Sequence, residues 1–208
     1  MIHRLHKESV ILVVLLTLIL WTVLLPPITL PQESLTTVEV CFSPRGQCTD
    51  AIIKELNRAK NSVLVQAYSF TSVPIAEALV NAYRRGVKVK VILDKSRKNE
   101  KESSAPSLSA GGVQVKIAAT RGIAHNKVMI IDDEIVITGS FNFTKNAEKK
   151  NAENLLIIHD RKLAEKFVKN WNEHAQDSKP YVGSGVTKGG PAVQKLVQEK
   201  DEVSGPER

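Results

Sequence analysis

The sequence H-N-K-V-M-I-I-D (residues 125–132) and the sequence G-S-F-N-F-T (residues 139–144) decide how the chain is interpreted. Residues 128–131 form a short apolar run, which is typical of a buried strand. On an extended chain residues i and i+2 point to the same side, so His125 and Lys127 are predicted to share a face. Ser140 and Asn142 have the same spacing, and we expect them to lie at the end of a second strand.

These side chains suit the chemistry of a phosphodiester. An imidazole can attack phosphorus, while a fixed positive charge and hydroxyl and amide donors stabilise the charge that develops on the equatorial oxygens. Glu153 begins a third predicted strand, where it could accept a hydrogen bond from the ring N–H of His125. We therefore expect His125 to be the nucleophile, Lys127, Ser140 and Asn142 to bind phosphate, and Glu153 to orient the ring.

Asp132 completes the set of candidate catalytic residues. It stands seven positions after His125, so on one continuous strand its side chain would point the other way, and a turn or orienting role fits it better than proton transfer. Each residue also has a plain structural interpretation: a structural histidine, turn formers after Gly139, or a solvated glutamate at a strand end. The spacing H-x-K-x4-D-x6-G-S-x-N favours a common site over these separate interpretations.

Outward from this stretch, strand and helix patterns alternate. This alternation predicts an α/β fold with a mixed, largely parallel β-sheet flanked by helices. Residues 95–104 are polar and charged, and we expect a mobile surface loop there. Strands are predicted at 37–42, 63–68, 87–93, 113–117, 127–131, 135–138 and 155–158, and helices after Cys48 and Ser72 and at 161–174.

The two ends of the chain differ from its middle. Residues 9–25 form an almost unbroken apolar run, long enough for a helix to cross a bilayer core, and Arg4 and Lys7 precede it. We interpret residues 1–36 as a signal anchor and tether, with the N-terminus in the cytoplasm and the catalytic domain on the periplasmic or extracellular side. A cleaved signal peptide, which would export the domain, and a buried core helix are the alternatives. Residues 37–177 are predicted to be the catalytic domain and residues 178–208 a disordered tail.

Composition and charge limit the functions further. The chain has 208 residues, 42% hydrophobic and 25% charged, and a net charge of +7, which fits a globular protein with a polyanionic partner such as nucleic acid or an anionic lipid surface. Its two cysteines, Cys41 and Cys48, are too few for the usual structural zinc site. On an exported domain they could close a small disulfide loop, whereas in the cytosol Cys41 would be a buried strand residue and Cys48 a helix start.

The chain resembles the phospholipase D superfamily, and in particular its small single-motif bacterial endonucleases, which are Nuc-like, exported and of low sequence specificity. The resemblance extends from about Val38 to Trp171, and includes the segments 66–71, 125–127, 139–144 and 151–154. It implies a phosphohistidine on His125, phosphate binding by Lys127, Ser140 and Asn142, a supporting role for Glu153, and no metal or other cofactor.

A histidine nucleophile leaves an alkoxide that needs a proton, and a second histidine is the natural donor. The motif occurs once in the chain, and neither His159 nor His174 has a lysine two residues later. We therefore expect a twofold homodimer in which two copies of His125 face each other across the axis. A monomer would need water or Glu153 as the acid.

Three functions compete. A metal-independent nuclease of low sequence specificity would contact the nucleic-acid backbone, and the aromatic residues that could stack on bases are at most Phe70, Phe141 and Phe143, which argues against base specificity. A membrane-anchored phospholipase D would hydrolyse phosphatidylcholine-type lipids to phosphatidic acid with the same residues. A catalytically silent, membrane-tethered nucleic-acid binder is the third, and the intact set of site residues argues against it.

Overall fold

The computed structural model describes residues 35–182 apart from residues 98 and 121. Strands and helices alternate along this part of the chain, as the hydrophobic pattern predicts. In chain order they are β1 (Thr37–Ser43), α1 (Cys48–Arg58), β2 (Ser62–Ala67), α2 (Val73–Arg84), β3 (Lys88–Leu93), α3 (Ala105–Ala110), β4 (Gln114–Ile117), β5 (Lys127–Ile131), β6 (Ile135–Gly139), α4 (Lys145–Lys149), β7 (Glu153–His159), α5 (Arg161–Asp177) and β8 (Lys179–Pro180).

The strands form one sheet in the order β1-β7-β6-β5-β2-β3-β4-β8. Within the described residues, β2–β3 and β3–β4 are the parallel pairs, and the other five neighbouring pairs are antiparallel. The prediction of a mixed sheet flanked by helices is confirmed, but the prediction that it is largely parallel is wrong. The turn 132–134 between β5 and β6 is too short for a crossover, so these two strands must run in opposite directions.

Helices cover both faces of the sheet. Apolar side chains of α1, α2 and α3 pack against one face in the larger core cluster, which contains Met129 and Ile131 of β5. α5 covers the other face, where Trp171 and Ala164 pack with Val128 and Ile130 in a smaller cluster. The strand alternation therefore sends Lys127 to the side of the larger cluster, together with Met129 and Ile131.

The C-terminal end of the folded domain lies a few residues beyond the predicted start of the tail. The tail was expected to begin at 178, but β8 pairs with β4, and the Tyr181 amide donates to the carbonyl of Val115 at 2.9 Å, so the order extends through residue 182. The remaining tail, residues 183–208, and the predicted anchor at 9–25 lie outside the described residues. Between residues 35 and 182, as far as they are described, no helix combines the length and apolarity that crossing a bilayer requires.

The two cysteines carry free thiols in the structure. Cys48 begins α1 in the core, and Cys41 is a half-buried residue of β1. Burial raises the pKa of both thiols. Their positions match the alternative of a strand residue and a helix start.

The described residues of the loop at 95–104, which the sequence predicts to be mobile, make hydrogen bonds with the residues around the loop. Asp94 accepts hydrogen bonds from the Ser96 amide at 2.8 Å and the Ala124 amide at 2.6 Å, and these bonds and the Ser96 hydroxyl hold the pKa of its carboxyl below its usual range against the effect of burial. The Ser104 amide donates to the Phe70 carbonyl at 2.9 Å. These contacts connect the loop to the ends of β2 and β5.

Candidate active site

Five of the six predicted site residues meet at one edge of the sheet. Lys127 begins β5, Glu153 begins β7, and Ser140 follows the last residue of β6. β5 and β7 both run antiparallel to β6. The first residues of β5 and of β7 therefore lie beside the last residues of β6. His125 precedes β5 and Asn142 lies in the loop after β6, so the topology brings an imidazole, an ammonium, a hydroxyl, an amide and a carboxylate to the same edge.

His125 and Lys127 are in direct contact. The Lys127 Nζ lies 3.2 Å from both ring nitrogens of His125 and donates to the His125 carbonyl at 2.8 Å. Lys127 is 6% exposed, whereas His125 is exposed at the surface. Burial lowers the pKa of Lys127, and the negative charge of Glu153 opposes this shift without cancelling it. The site therefore presents an accessible imidazole above a buried ammonium.

The His125 ring is supported by a tyrosine. The ring centroids of Tyr68 and His125 lie 4.5 Å apart, with the planes tilted by 58°. The Tyr68 amide also donates to the Asn126 carbonyl at 2.9 Å, which ties the end of β2 to the residue between His125 and Lys127. Packing on Tyr68 thus restrains the orientation of the imidazole.

Glu153 does not hold the histidine ring as the sequence predicted. Its carboxylate accepts hydrogen bonds from the Ser140 hydroxyl and from the Asn151 amide group, at 2.9 Å in the second case. The Ser140 hydroxyl in turn accepts from the Asn154 amide at 3.1 Å. Since Ser140 is within reach of Glu153, the carboxylate orients a phosphate-binding candidate here, and the expected Glu153–His125 bond is not formed.

Gly139 allows this contact between the β6 end and β7. Its φ is +149°, and a Cβ at this position would lie 2.3 Å from the Asn154 carbonyl oxygen. That oxygen accepts hydrogen bonds from the amides of Ser140 and Phe141 at 3.1 and 3.2 Å. A side chain at residue 139 would therefore push Ser140 away from the site.

Asn142 brings an uncompensated polar atom to the site. Its Oδ1 is buried and has no hydrogen-bond partner among the described residues. A buried amide oxygen without a partner costs free energy, and in native proteins such groups call for an explanation. Only a group with an N–H or O–H would supply a partner, because an amide oxygen accepts hydrogen bonds and does not donate them.

Asp132 lies away from these residues, at the other end of β5. Its carboxylate accepts hydrogen bonds from the amides of Lys60, Asn61 and Ser62 at 2.9, 2.7 and 2.9 Å. The extended strand between Lys127 and Asp132 covers about 16 Å at roughly 3.3 Å per residue. The structure therefore places Asp132 apart from the other candidate catalytic residues, in a turn, which is the role that the sequence analysis favours for it.

The proposed stacking platforms are also not available to bases. Phe70, Phe141 and Phe143 are 2%, 0% and 0% exposed and belong to the core. Tyr68, which is partly exposed beside His125, is the aromatic side chain that the geometry places at the site. Tyr68 follows the last residue of β2, and β2 is the sheet neighbour of β5. The sequence does not show that these two strands are neighbours, so sequence analysis alone could not assign Tyr68 to the site.

Comparisons with known proteins agree with this geometry. The family model described as "Cardiolipin synthase, PLD-like domain" matches residues 52–175. A protein of Rickettsia typhi named "Phospholipase D" is 46% identical over 142 residues, which cover 68% of this chain and 70% of the relative. "Mitochondrial cardiolipin hydrolase" of Xenopus laevis is 31% identical, over 67% of this chain and 73% of the relative.

Solved structures give the same result. The phospholipase D family member Nuc from Salmonella typhimurium has a TM-score of 0.67 and 37% identity, and the match covers 72% of this chain and all of Nuc. NucT from Helicobacter pylori has a TM-score of 0.65 and 30% identity, with 71% of this chain and all of NucT covered. The chain belongs to the phospholipase D-like family and is a phosphodiester hydrolase of that superfamily.

Proposed function

We propose that the protein is a metal-independent nuclease of low sequence specificity that works through a phosphohistidine on His125. The observation that carries the proposal is the exposed imidazole in contact with the buried ammonium of Lys127, at the sheet edge that also holds Ser140 and Asn142. In the first step a ring nitrogen of His125 attacks phosphorus and the bond to the leaving oxygen breaks. In the second step water attacks phosphorus, the P–N bond breaks, and a phosphomonoester is released.

The charge distribution supports a nucleic-acid substrate. Residues 1–36 and residues 183–208 each contain as many basic as acidic residues, so the net charge of +7 lies on the folded domain. A basic surface of this kind binds a phosphate backbone without reading bases, and such binding weakens as salt is added. The resemblance to small bacterial endonucleases supports the same substrate class.

A phospholipase D that acts on phosphatidylcholine-type lipids is the second candidate. It is favoured by the relatives named "Phospholipase D" and by the apolar run at 9–25, through which we propose that the domain is anchored outside the cytoplasm.

An assay of the full-length protein in the presence of a chelator, with plasmid DNA and with phosphatidylcholine vesicles as substrates, distinguishes the nuclease from the phospholipase D. Cleavage of DNA supports the nuclease, cleavage of lipid alone supports the phospholipase, and a His125→Ala protein must lose either activity.

The acid that protonates the leaving oxygen is proposed to be His125 of a second copy. His159 pairs with Thr37 and Ile135 at the far end of the sheet, and His174 lies on α5, which covers the face opposite Lys127. A surface for the second copy is available near the site. Val38, Val40 and Phe42 of β1 are 50%, 50% and 66% exposed, and Phe42 lies opposite Asn154.

Subunit mixing tests the shared site. If one active centre needs both copies of His125, activity in refolded mixtures of wild type and His125→Ala falls with the square of the wild-type fraction. A linear fall would show that each subunit works alone and would contradict the dimeric mechanism. The mass of the protein in solution, measured by light scattering, provides the independent readout.

A further inference from the structure

Arg97 lies in the loop after β3 and contacts Tyr68, the tyrosine that packs against His125. Its guanidinium carbon lies 4.7 Å from the centroid of the Tyr68 ring, and its Nη2 donates to the Tyr68 hydroxyl at 2.7 Å. We propose that Arg97 binds the phosphate next to the scissile one in a nucleic-acid substrate. The inference rests on the proposed nuclease function.

The position of Arg97 supports this role. The Tyr68 ring lies 4.7 Å from the guanidinium and 4.5 Å from the His125 ring, so the guanidinium is within about 9 Å of the nucleophile. Successive phosphates of a B-form strand are separated by an axial rise of about 3.4 Å, and by roughly twice that in an extended single strand. A phosphate one nucleotide from the reacting one is therefore within reach of Arg97.

Arg97 also has hydrogen-bonding capacity that the structure does not use. A guanidinium has five N–H donors, and one of them serves Tyr68. The Nε is buried without a partner among the described residues, and the Nη1 is 3.8 Å from Glu100, which is the distance of an ion pair rather than of a hydrogen bond. The side chain is 42% exposed, so a phosphate oxygen can approach it from solvent.

Glu100 forms an ion pair with Arg97 and limits the mobility of its side chain. The single O–H of Ser69 is shared between the two oxygens of Glu100, which lie 3.0 and 2.9 Å from the hydroxyl oxygen, and this contact connects the loop to the end of β2. The guanidinium is thus positioned by Tyr68 on one side and by Glu100 on the other. An arginine positioned in this way loses little conformational freedom when it forms a bidentate contact with phosphate.

The alternative is that Arg97 only supports Tyr68 and, through it, His125. The two roles differ in the substrate that they affect. A supporting role would slow every phosphodiester equally, whereas a second phosphate site matters only when the substrate has a second phosphate. The test therefore compares a dinucleoside monophosphate, which has a single phosphate, with a decanucleotide of the same base.

The experiment measures kcat/KM of the full-length protein on both substrates for the wild type, Arg97→Ala and Arg97→Lys. We expect Arg97→Ala to reduce the preference for the decanucleotide by about 10-fold or more, and to lower the slope of log(kcat/KM) against log[salt] by about 0.7 for a single strand. Arg97→Lys should keep the salt slope, because it keeps the charge, and lose part of the preference.

Arg161→Ala is the matched control. Arg161 has the same charge and also faces a glutamate, Glu134, at 3.9 Å, but it begins α5 at the far end of the sheet. The Arg161→Ala substitution should leave the preference for the decanucleotide unchanged. An equal loss on both substrates in Arg97→Ala, or no loss on either, would overturn this inference alone. A wild-type protein that cleaves neither nucleotide substrate would overturn the nuclease proposal, and this inference with it.

Discussion

The polar residues at the two ends of β5 differ in how well the fold satisfies their charge and hydrogen bonds. At one end the Asp132 carboxylate accepts three backbone N–H groups and has little capacity left. At the other end the Lys127 ammonium is buried, with a lowered pKa, and the neighbouring Asn142 oxygen has no partner. The two ends therefore differ in what their buried polar groups cost the fold: the Asp132 carboxylate is satisfied by backbone donors, whereas a buried ammonium and an unpartnered amide oxygen are unfavourable for stability and call for a functional explanation.

The largest expected effect comes from the functional end. His125→Ala removes the proposed nucleophile, and we expect activity to fall by at least about 10³-fold, since donors alone cannot replace a covalent step. The fold should persist, because His125 is exposed and contributes little to the core. Activity on plasmid DNA and thermal unfolding, measured on the same preparation, check both statements. Retention of activity would remove the distinction between the two ends.

Asn142 provides the next test. Asn142→Ala should lower activity by about 10²-fold if its amide stabilises charge on the reacting phosphate. Stability should not fall, because the substitution removes a buried oxygen that has no partner. Asn146→Ala, in the exposed first turn of α4, is the control and should change neither quantity. A destabilised and fully active Asn142→Ala protein would mean that this residue is structural.

Asp132 should behave in the reverse way. Asp132→Ala leaves the amides of residues 60–62 without their acceptor, and we expect the free energy of unfolding to fall by about 2–3 kcal/mol. Activity per folded molecule should be unchanged. Asp133→Ala, at the exposed neighbouring position of the same turn, is the control in denaturant titrations. A loss of turnover in folded Asp132→Ala would restore Asp132 to the catalytic set.

The smallest expected effect concerns pH. Because burial lowers the pKa of Lys127 in the folded protein, the unfolded chain binds more protons in the window between the lowered pKa and the ordinary lysine pKa of 10.5. The stability of the wild type should therefore rise as pH increases through this window, while activity falls as the ammonium is lost.

Lys127→Met isolates this contribution. The variant should lack the pH-dependent increment, and at neutral pH it should unfold about 2–4 °C higher than the wild type, corresponding to about 1 kcal/mol. Melting curves between neutral pH and pH 10 measure both changes. A lower melting temperature at neutral pH would show that the hydrogen bond from Lys127 to the His125 carbonyl outweighs the cost of burying the charge.

The sequence predicted the elements of the fold better than their arrangement. Apolar runs such as residues 128–131 mark strands because burial on both faces excludes polar residues, and the bounds of β5 are predicted correctly. Strand direction depends on which strands become neighbours, and the β2–β5 pairing joins segments about 60 residues apart. The local hydrophobic pattern does not predict that pairing. The elements α3 and β8 are too short to show a clear hydrophobic periodicity, so the sequence does not predict them either.

The candidate site shows the same division. The i, i+2 spacing correctly predicts that His125 and Lys127 are in contact, since it depends only on extended backbone geometry. The partner of Glu153 depends on the register between β6 and β7, and the roles of Tyr68 and Arg97 depend on the neighbourhood of β2 and β5. These are tertiary properties, and no spacing in the sequence encodes them.

The stereochemistry of the reaction at phosphorus tests the central claim most directly. A phosphohistidine route consists of two in-line displacements, each of which inverts the configuration. A chiral phosphorothioate diester hydrolysed in ¹⁸O-labelled water should therefore give a product with net retention at phosphorus. Net inversion would mean that water attacks the diester directly, and would contradict the assignment of His125 as the covalent nucleophile.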